Sequence, residues 1–301
     1  MKEQNFFKYL TPSTMDIEWG LYLNVAGRAC ILPGKEYPPS GHPTGYNFNW
    51  KNGRILHEYQ INYITEGSGI IETARGKFKI NPGTILLLYP GAFHRYKPNL
   101  KTGWTEHYIG FNGDIANKLL TNVFFDLRRP AIKIGHQDKI LESFYKIWDE
   151  VKNERAGFQQ VCSGLLVNIL GNIISTIKNK EFEGKELQKK IHLARMKMRE
   201  NFDTGINPVD IAKDLNISYS YFRKVFKMYT GISPSQYILL LKIQKARDLL
   251  IITEKSVKEI ANECGFPTIY YFSRLFKKKH GVTPSQIRKM TSVKKSEIDS
   301  I

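Results

Sequence analysis

The chain has 301 residues, 42% of them hydrophobic, and a formal net charge of +17. At about 150 residues per domain that length exceeds one ordinary core and fits two, and the hydrophobic share lets each bury a core of its own. Three cysteines, Cys30, Cys162 and Cys264, with no CxxC spacing, argue against a disulfide framework or a zinc site and for a reducing compartment. The first residues, MKEQNFFKYL, carry charges where a signal peptide would be apolar. The longest greasy stretch, SGLLVNILGNIIST, is interrupted by Asn168 and Asn172 and is too short to span a bilayer. These features predict a cytoplasmic protein with no membrane partner. Charge is uneven: from Lys185 onward 23 Lys and Arg face 11 Asp and Glu, net +12, against net +5 for the first 184 residues. A basic C-terminal part points to a polyanionic partner, most simply nucleic acid.

From about Tyr22 to Phe111 the chain is rich in Tyr, Ile, Thr, Phe and Trp and is cut every 8 to 12 residues by Gly, Pro or Asn. That is the pattern of an antiparallel sandwich or barrel. EYQINYITEGSGIIET reads as one hairpin turning at Glu-Gly-Ser-Gly. ARGKF turns through Gly76, and KINPGTILLLYP turns at Pro82-Gly83 into a strongly apolar strand. Three such steps predict an up-and-back β architecture. Alternation puts Trp104, Glu106 and Tyr108 on one face of their strand and Thr105, His107 and Ile109 on the other. His94 and Tyr96 share a face just upstream.

Gly67, Gly83, Pro90-Gly91, His94 and the closing WTEHYIGF resemble the cupin-type sensor domain of the AraC/XylS transcription regulators, over roughly Tyr59 to Phe111. The resemblance implies a small-molecule site in the barrel mouth, with sugar contacts at the positions matching Tyr96, Glu106 and Tyr108. The chemistry suits a sugar. A carboxylate accepts paired hydroxyl hydrogen bonds, an aromatic plane packs on the C–H face of a pyranose, and the Arg54 fork of donors orients ring oxygens. The candidate ligand contacts are therefore Arg54, His94, Tyr96, Trp104, Glu106 and Tyr108. The competing reading makes Trp104 and Tyr108 core aromatics and His94 a satisfied buried imidazole. Enzymatic cupins hold a metal with an HxH, a downstream Glu and a later His. Here His57 is followed by Tyr59, no Glu stands at the expected spacing, and only His94 is in place. Metal sites need three or four convergent donors, so neither metal nor other cofactor nor catalytic residue is expected.

Asp138 to Lys152 and Phe158 to Lys178 have helical periodicity and are separated by Ala156-Gly157. In the second, Val161/Cys162, Leu165/Leu166, Ile169/Leu170, Ile173/Ile174 and Ile177 form a stripe about two residues wide. Packing on the barrel uses only part of it, so helix 158–178 is the expected homodimer face, as the resemblance also implies. Burial entirely within one subunit is the alternative. NKEFEGKELQ, from Asn179 to Gln188, reads as a polar linker.

The last third contains an internal repeat. Asp210-Ile211-Ala212 returns as Glu259-Ile260-Ala261 at an offset of 49, and Tyr221-Phe222, Phe226-Lys227, Gly231 and Pro234-Ser235-Gln236 return at an offset of 50. Two copies are too few for a solenoid; each reads as one helix-turn-helix. Asn207-Pro208 starts the first helix with a cap and a first-turn proline. The turns fall at Asn216 and Gly265, residue types that adopt positive φ, and Ser218 and Pro267-Thr268 start the second helices. Helical spacing turns Phe222, Val225, Phe226 and Tyr229 inward in copy one and Phe272, Leu275 and Phe276 in copy two. Left outward are Ser220, Arg223, Lys224 and Lys227, then Tyr270, Ser273, Arg274 and Lys277. With Ser218 these are the candidate contacts to double-stranded DNA. Arg pairs bidentately with guanine, Ser and Tyr make single contacts, and Lys227 and Lys277 sit over phosphates. A helix over Pro234 to Ile252, at about 1.5 Å per residue, would hold the two recognition helices close to the ~34 Å repeat of successive major grooves. A single chain then reads a bipartite half-site.

Over Lys189 to Met290 the doubled motif, with YFRKVFKMYTGISPSQY and YYFSRLFKKKHGVTPSQIR, resembles the DNA-binding domain of the same AraC/XylS family. Pro267 and Ile287 depart from its pattern. The expected architecture is α+β and multidomain: a cupin-like barrel at about 15–112 and helices at about 138–180 in a ligand-sensing and dimerisation domain over 1–182, a linker at 183–188, an all-α double helix-turn-helix at 189–291, and a tail at 292–301. The expected function is a sequence-specific transcription regulator under a small-molecule effector, a saccharide by resemblance. By resemblance too it is an activator, with RNA polymerase as a further partner. A non-sugar effector, a purely dimerising barrel, and a metal-dependent cupin enzyme fused to a DNA-binding module are the rival readings.

Overall fold

A computed structural model describes residues 5–39, 46, 48–121, 124–126, 128–181 and 185–290. The chain forms two compact units, Met1–Lys180 and Glu181–Ile301. The expected tail at 292–301 lies outside the described residues.

In chain order the first unit contains β1 (Phe6–Tyr9), α1 (Thr14–Glu18), β2 (Tyr22–Ile31), β3 (Arg54–Ile55), β4 (Tyr59–Gly67), β5 (Gly69–Thr73), β6 (Gly76–Ile80), β7 (Thr84–Leu88), β8 (Phe93–Pro98), β9 (Trp104–Asn112), α2 (Asp114–Leu120), β10 (Ala131–Lys133), α3 (Asp138–Asn153) and α4 (Phe158–Glu181). Two sheets form, in the orders β1-β2-β9-β4-β7-β10 and β3-β8-β5-β6. The strand region is therefore wider than the expected 15–112. β1 pairs along β2 and β10 along β7. Both are short edge strands, with too few residues to show an alternation in the sequence.

The up-and-back expectation fails at two of its three turns. Only the Gly76 turn makes a hairpin, joining β5 to β6. β4 pairs with β7 and β9 instead of β5, so the Glu-Gly-Ser-Gly turn carries the chain from one sheet to the other. Pro82-Gly83 does the same between β6 and β7. Gly67 makes the first crossing feasible: its φ is +72°, and a Cβ there would meet the Gly103 carbonyl oxygen at 2.1 Å, room that only glycine leaves.

The six-stranded sheet is covered on both faces. One face packs with α3 and α4 around Ile61, Tyr63, Ile109, Phe111, Phe144, Leu166 and Ile169. The other packs on the four-stranded sheet around Ala29, Ile64, Ile71, Leu88, Tyr96 and Trp104. His107, on the helix side as alternation requires, stacks on Trp148 with ring centroids 5.2 Å apart. α3 ends where Glu154 and Gly157 take left-handed φ values of 45° and 78°, the break expected at Ala156-Gly157. Phe158–Lys180 is long and apolar enough to cross a bilayer by length and composition. Its Cys162, Leu166, Ile169, Leu170 and Ile173 are nevertheless buried in the core against the sheet, while Val161 and Val167 face out.

The second unit is all helical: α5 (Lys185–Asn201), α6 (Pro208–Asp214), α7 (Tyr219–Thr230), α8 (Pro234–Ile252), α9 (Val257–Glu263) and α10 (Ile269–His280). Most of the expected linker is thus helix: α4 runs to Glu181 and α5 opens at Lys185, because a charged run without proline forms helix readily. Each helix-turn-helix has its own core. Ile211, Ala212, Leu215, Phe222, Val225 and Phe226 close on α5 in the first. Ile260, Ala261, Cys264, Phe266, Phe272 and Phe276 close on the later part of α8 in the second.

Candidate functional site

The two repeat units present matching surfaces. Asn207 caps α6 by accepting from the Val209 amide at 3.0 Å, with Pro208 in the first turn. α7 opens on Ser218, whose Oγ accepts from the Tyr221 amide at 3.3 Å, and closes on Gly231 at φ 83°. α10 opens on Thr268, accepting from Tyr271 at 3.1 Å, and closes on Gly281 at φ 79°. The turns use left-handed Asn216 (φ 52°) and Gly265 (φ 66°), as the sequence predicts. The inserted residue falls in the turn: 215–218 separate the helices of copy one and 264–268 those of copy two.

Ser220, Arg223, Lys224, Lys227, Tyr270, Arg274 and Lys277 are all exposed, and Ser273 is half-buried. Among the described residues none of these basic side chains pairs with a carboxylate, so their charge faces solvent. Ser218 is exposed, but its oxygen is engaged as a helix cap. Tyr270 is 87% exposed at the start of α10, far beyond what packing requires of a tyrosine. Tyr221 and Tyr271 are partly exposed beside them, with the Arg274 guanidinium 5.9 Å from the Tyr271 ring centroid. Neither was among the expected contacts, although both recur at the repeat offset. Together these side chains give each repeat unit a basic, aromatic-studded outer surface.

The second site lies between the sheets of the first unit. Alternation sends Gln60 and Asn62 of β4 and Glu106 and Tyr108 of β9 to the inner face, with Glu58 just before β4. Two glycines make the floor. A Cβ on Gly27 would lie 2.4 Å from the Tyr108 ring, and one on Gly110 would lie 2.0 Å from Glu58 Oε1. From the opposite sheet come Arg54, His94 and Tyr96. Arg54 ties the walls together: its Nε donates to His94 Nε2 (3.1 Å), Nη1 to the Tyr46 carbonyl (2.7 Å), and Nη2 to Tyr96 Oη (2.6 Å) and Gln60 Oε1 (3.1 Å). Tyr37 Oη donates to Glu106 Oε1 at 3.0 Å, and Tyr46 Oη to Glu58 Oε2 at 2.8 Å.

Of the six expected ligand contacts, Arg54, Tyr96, Glu106 and Tyr108 line one small cavity, together with Tyr37 and Phe48. His94 and Trp104 stand behind its wall. His94 is 1% exposed; Nδ1 donates to the Ala92 carbonyl (2.9 Å) while Nε2 accepts from Arg54. Burial, with Arg54 beside it, pushes its pKa down to about 4, so it is the satisfied neutral imidazole of the competing reading. Trp104 is packed against Tyr37 and Tyr96. Glu58, Gln60, Tyr37 and Tyr46 were missed. Period-two alternation extended one residue before β4 would have found the first two positions, whereas Tyr37 and Tyr46 lie between β2 and β3, where no periodicity signals a contact. Among the described residues no three His, Cys, Asp or Glu side chains converge as a metal site would need.

Burial pushes the carboxyls of Glu58 and Glu106 up from 4.5 to about 7, against the opposing pull of Tyr46 and Arg54 on one and of Tyr37 and Arg54 on the other. Between pH 4.5 and 7 the folded protein therefore holds protons that the unfolded chain has lost. Stability from this source is full below about pH 4.5 and falls as pH rises to about 7. Thermal melts of the full chain should show the first unit losing stability over that window, by a few kcal/mol on the order of the shifts. Glu106→Gln, which cannot ionise, should flatten the slope by about half; a slope parallel to that of the parent protein would refute the assignment.

Comparison with known proteins follows the same division. The family profile described as "AraC-like ligand binding domain" matches residues 33–170, and that described as "Helix-turn-helix domain" matches residues 211–290. The chain is 27% identical over 225 residues to the Msm operon regulatory protein of Streptococcus mutans, covering 74% of this chain and 80% of that one. It is 25% identical over 240 residues to the lactose operon transcription activator of Staphylococcus xylosus, covering 74% and 78%. To the raffinose operon transcriptional regulatory protein RafR of Pediococcus pentosaceus it is 26% identical over 240 residues, covering 75% and 83%. An inner-face pocket under the one profile and a doubled helix-turn-helix running into the other make the chain a member of the AraC/XylS family, a DNA-binding transcription regulator with a ligand-binding domain.

Proposed function

We propose that the protein is a cytoplasmic transcription activator that responds to a sugar bound between the two sheets of its first unit. The pocket carries this reading: two buried carboxyls, several phenols and one arginine face a common space, a donor and acceptor set matched to hydroxyl groups and flanked by aromatic faces. Two of the relatives above are named for lactose and raffinose operons, which supports a saccharide effector here, and one is named an activator, which supports contact with RNA polymerase. A thermal-shift panel on the full chain, including galactose, lactose and raffinose, tests the reading. A ligand at about 100 times its Kd stabilises the fold it binds by about 2.7 kcal/mol. At least one sugar should raise the melting temperature, and Glu106→Ala should abolish the rise. A panel with no shift would return the barrel to a non-sugar effector or a purely dimerising role.

On DNA, Arg223 of copy one stands where copy two has Ser273, and Lys224 where it has Arg274, so the two helices read different bases. Arg223→Ala and Arg274→Ala should each relax specificity at a separate base pair by about 1–3 kcal/mol, measured by binding to a randomised site library. Loss at one shared base pair would contradict reading by two helices.

The outward side of α4, with Val161, Gly164, Asn168 and Gly171 exposed, is the proposed homodimer face. Sedimentation velocity of the full chain should show a dimer that Val161→Glu converts to monomer; a monomeric parent protein would sink this proposal.

A further inference from the structure

The sugar site carries its own stand-ins for a ligand. Its free volume is about 30 Å³, room for roughly one water, where small-molecule sites commonly offer ~300–1,000 Å³. The side chains that take up the space, Tyr37, Tyr46 and Phe48, come from between β2 and β3 and from neither sheet. Two of them end in hydroxyls, and each hydroxyl is on a carboxyl: Tyr37 on both oxygens of Glu106 (3.0 and 3.3 Å), Tyr46 on Glu58 (2.8 Å). These are the bonds a sugar hydroxyl would make.

The substitution is incomplete. Glu58 Oε1, Asn62 Oδ1 and Tyr108 Oη are buried without a hydrogen-bond partner, a cost the folded chain carries in the absence of a ligand. Tyr108 lines the cavity itself, and with Glu58 and Asn62 close behind it the site holds more hydrogen-bonding capacity than two phenols meet. Charge narrows the ligand further. Arg54 is the cation lining this cavity, and four of its five N–H groups are committed to His94, Tyr46, Gln60 and Tyr96. A phosphate or carboxylate entering here would meet two acidic side chains and no uncommitted guanidinium edge, a desolvation cost with little return.

We propose that the site selects an uncharged polyhydroxylated ligand, two of whose hydroxyls displace the phenols of Tyr37 and Tyr46 from Glu106 and Glu58, and that it rejects phosphorylated and acidic sugars. The proposal rests on the sugar reading of the pocket and adds to it a charge rule and a built-in competitor. The phenols set the threshold for binding, because ligand hydroxyls gain only the difference between their own bonds and those they replace.

Titration calorimetry on the full chain, with galactose, lactose and raffinose against galactose 6-phosphate and galacturonate, tests the charge rule. The neutral binder should exceed its charged counterparts at least thirtyfold in affinity; equal binding of galactose 6-phosphate overturns the rule. Tyr37→Phe and Tyr46→Phe keep the ring and remove the competing hydroxyl. Each should tighten the neutral binder three- to tenfold, whereas unchanged or weaker binding in both overturns the displacement. A ligand-free arm separates this from the parent reading. Amide exchange over residues 32–38 should be at least fivefold faster in the double phenylalanine variant, and unchanged exchange overturns the stand-in role with or without a sugar in hand. Faster exchange with no binder in the panel would instead sink the sugar reading while sustaining the stand-in role.

Discussion

β4 and β9 are covered on both faces, and their two-residue period must therefore serve two environments at once. Tyr59, Ile61 and Tyr63 of β4, with Ile109 and Phe111 of β9, go to the helices and form an apolar core. Gln60, Asn62, Glu106 and Tyr108 go to the other face, where the sandwich interior would ordinarily be apolar. Such burial is costly unless each polar group finds a partner. That demand is met only in part: Arg54 takes Gln60, Tyr37 takes Glu106 and Tyr96 takes the Asn62 amide, while Tyr96, Trp104 and Phe48 wall the space with aromatic rings. The pocket is thus the complement of the core. The helix face supplies stability, which leaves the inner face free to hold groups that a sheet open to water on one side would keep solvated.

The electrostatics of that inner face explain why its carboxyls titrate near neutrality. One guanidinium, largely occupied by neutral acceptors, stands near two acids that both lie deep between sheets. Desolvation outweighs attraction, and each carboxyl rises to about 7. Hydrogen bonds donated to an ionised carboxyl favour its charged form, so a ligand rich in hydroxyls and the loss of protons reinforce one another. The phenols now on Glu58 and Glu106 act in the same direction, but each offers a single hydroxyl.

Local chemistry was legible in the sequence, and long-range pairing was not. In the second unit the Asn207 cap, Pro208, the positive-φ Asn216 and Gly265 and the bounds of α8 agree with the expectation, because each depends on a few neighbouring residues. In the first unit Glu-Gly-Ser-Gly and Pro82-Gly83 were legible as turns, yet turn chemistry does not say whether the next strand stays in its sheet. That is decided by partners more than thirty residues away, as Gly67 against Gly103 shows. Alternation likewise assigned Trp104, Glu106 and Tyr108 to the correct face but gave no depth, so Trp104 and His94 were grouped with residues that reach the cavity. Tyr37 and Tyr46 lie outside any periodic element, and only the folded chain brings them to Glu106 and Glu58.

In the second unit the repeat separates what must match from what is free to differ. Phe222 and Phe226 pack edge to face at 5.5 Å, and Phe272 and Phe276 do so at 5.4 Å; the two cores are near copies. α8 belongs to both. Ile238 is buried in the first core, while Ile243, Ala246 and Leu250 are buried in the second, so its apolar positions wrap around the axis and no single face dominates. Lys245 joins Asp203 at 2.6 Å, and Lys242 caps the second turn through the Gly265 carbonyl at 2.6 Å, fixing the helix at both sides. With no glycine, and its one proline in the first turn, α8 has no residue that would let it bend cheaply. The separation of the recognition helices is then a property of a single rigid element. Divergence between Arg223 and Ser273, or between Ser220 and Tyr270, changes the outward surface of each unit without disturbing the core beneath it.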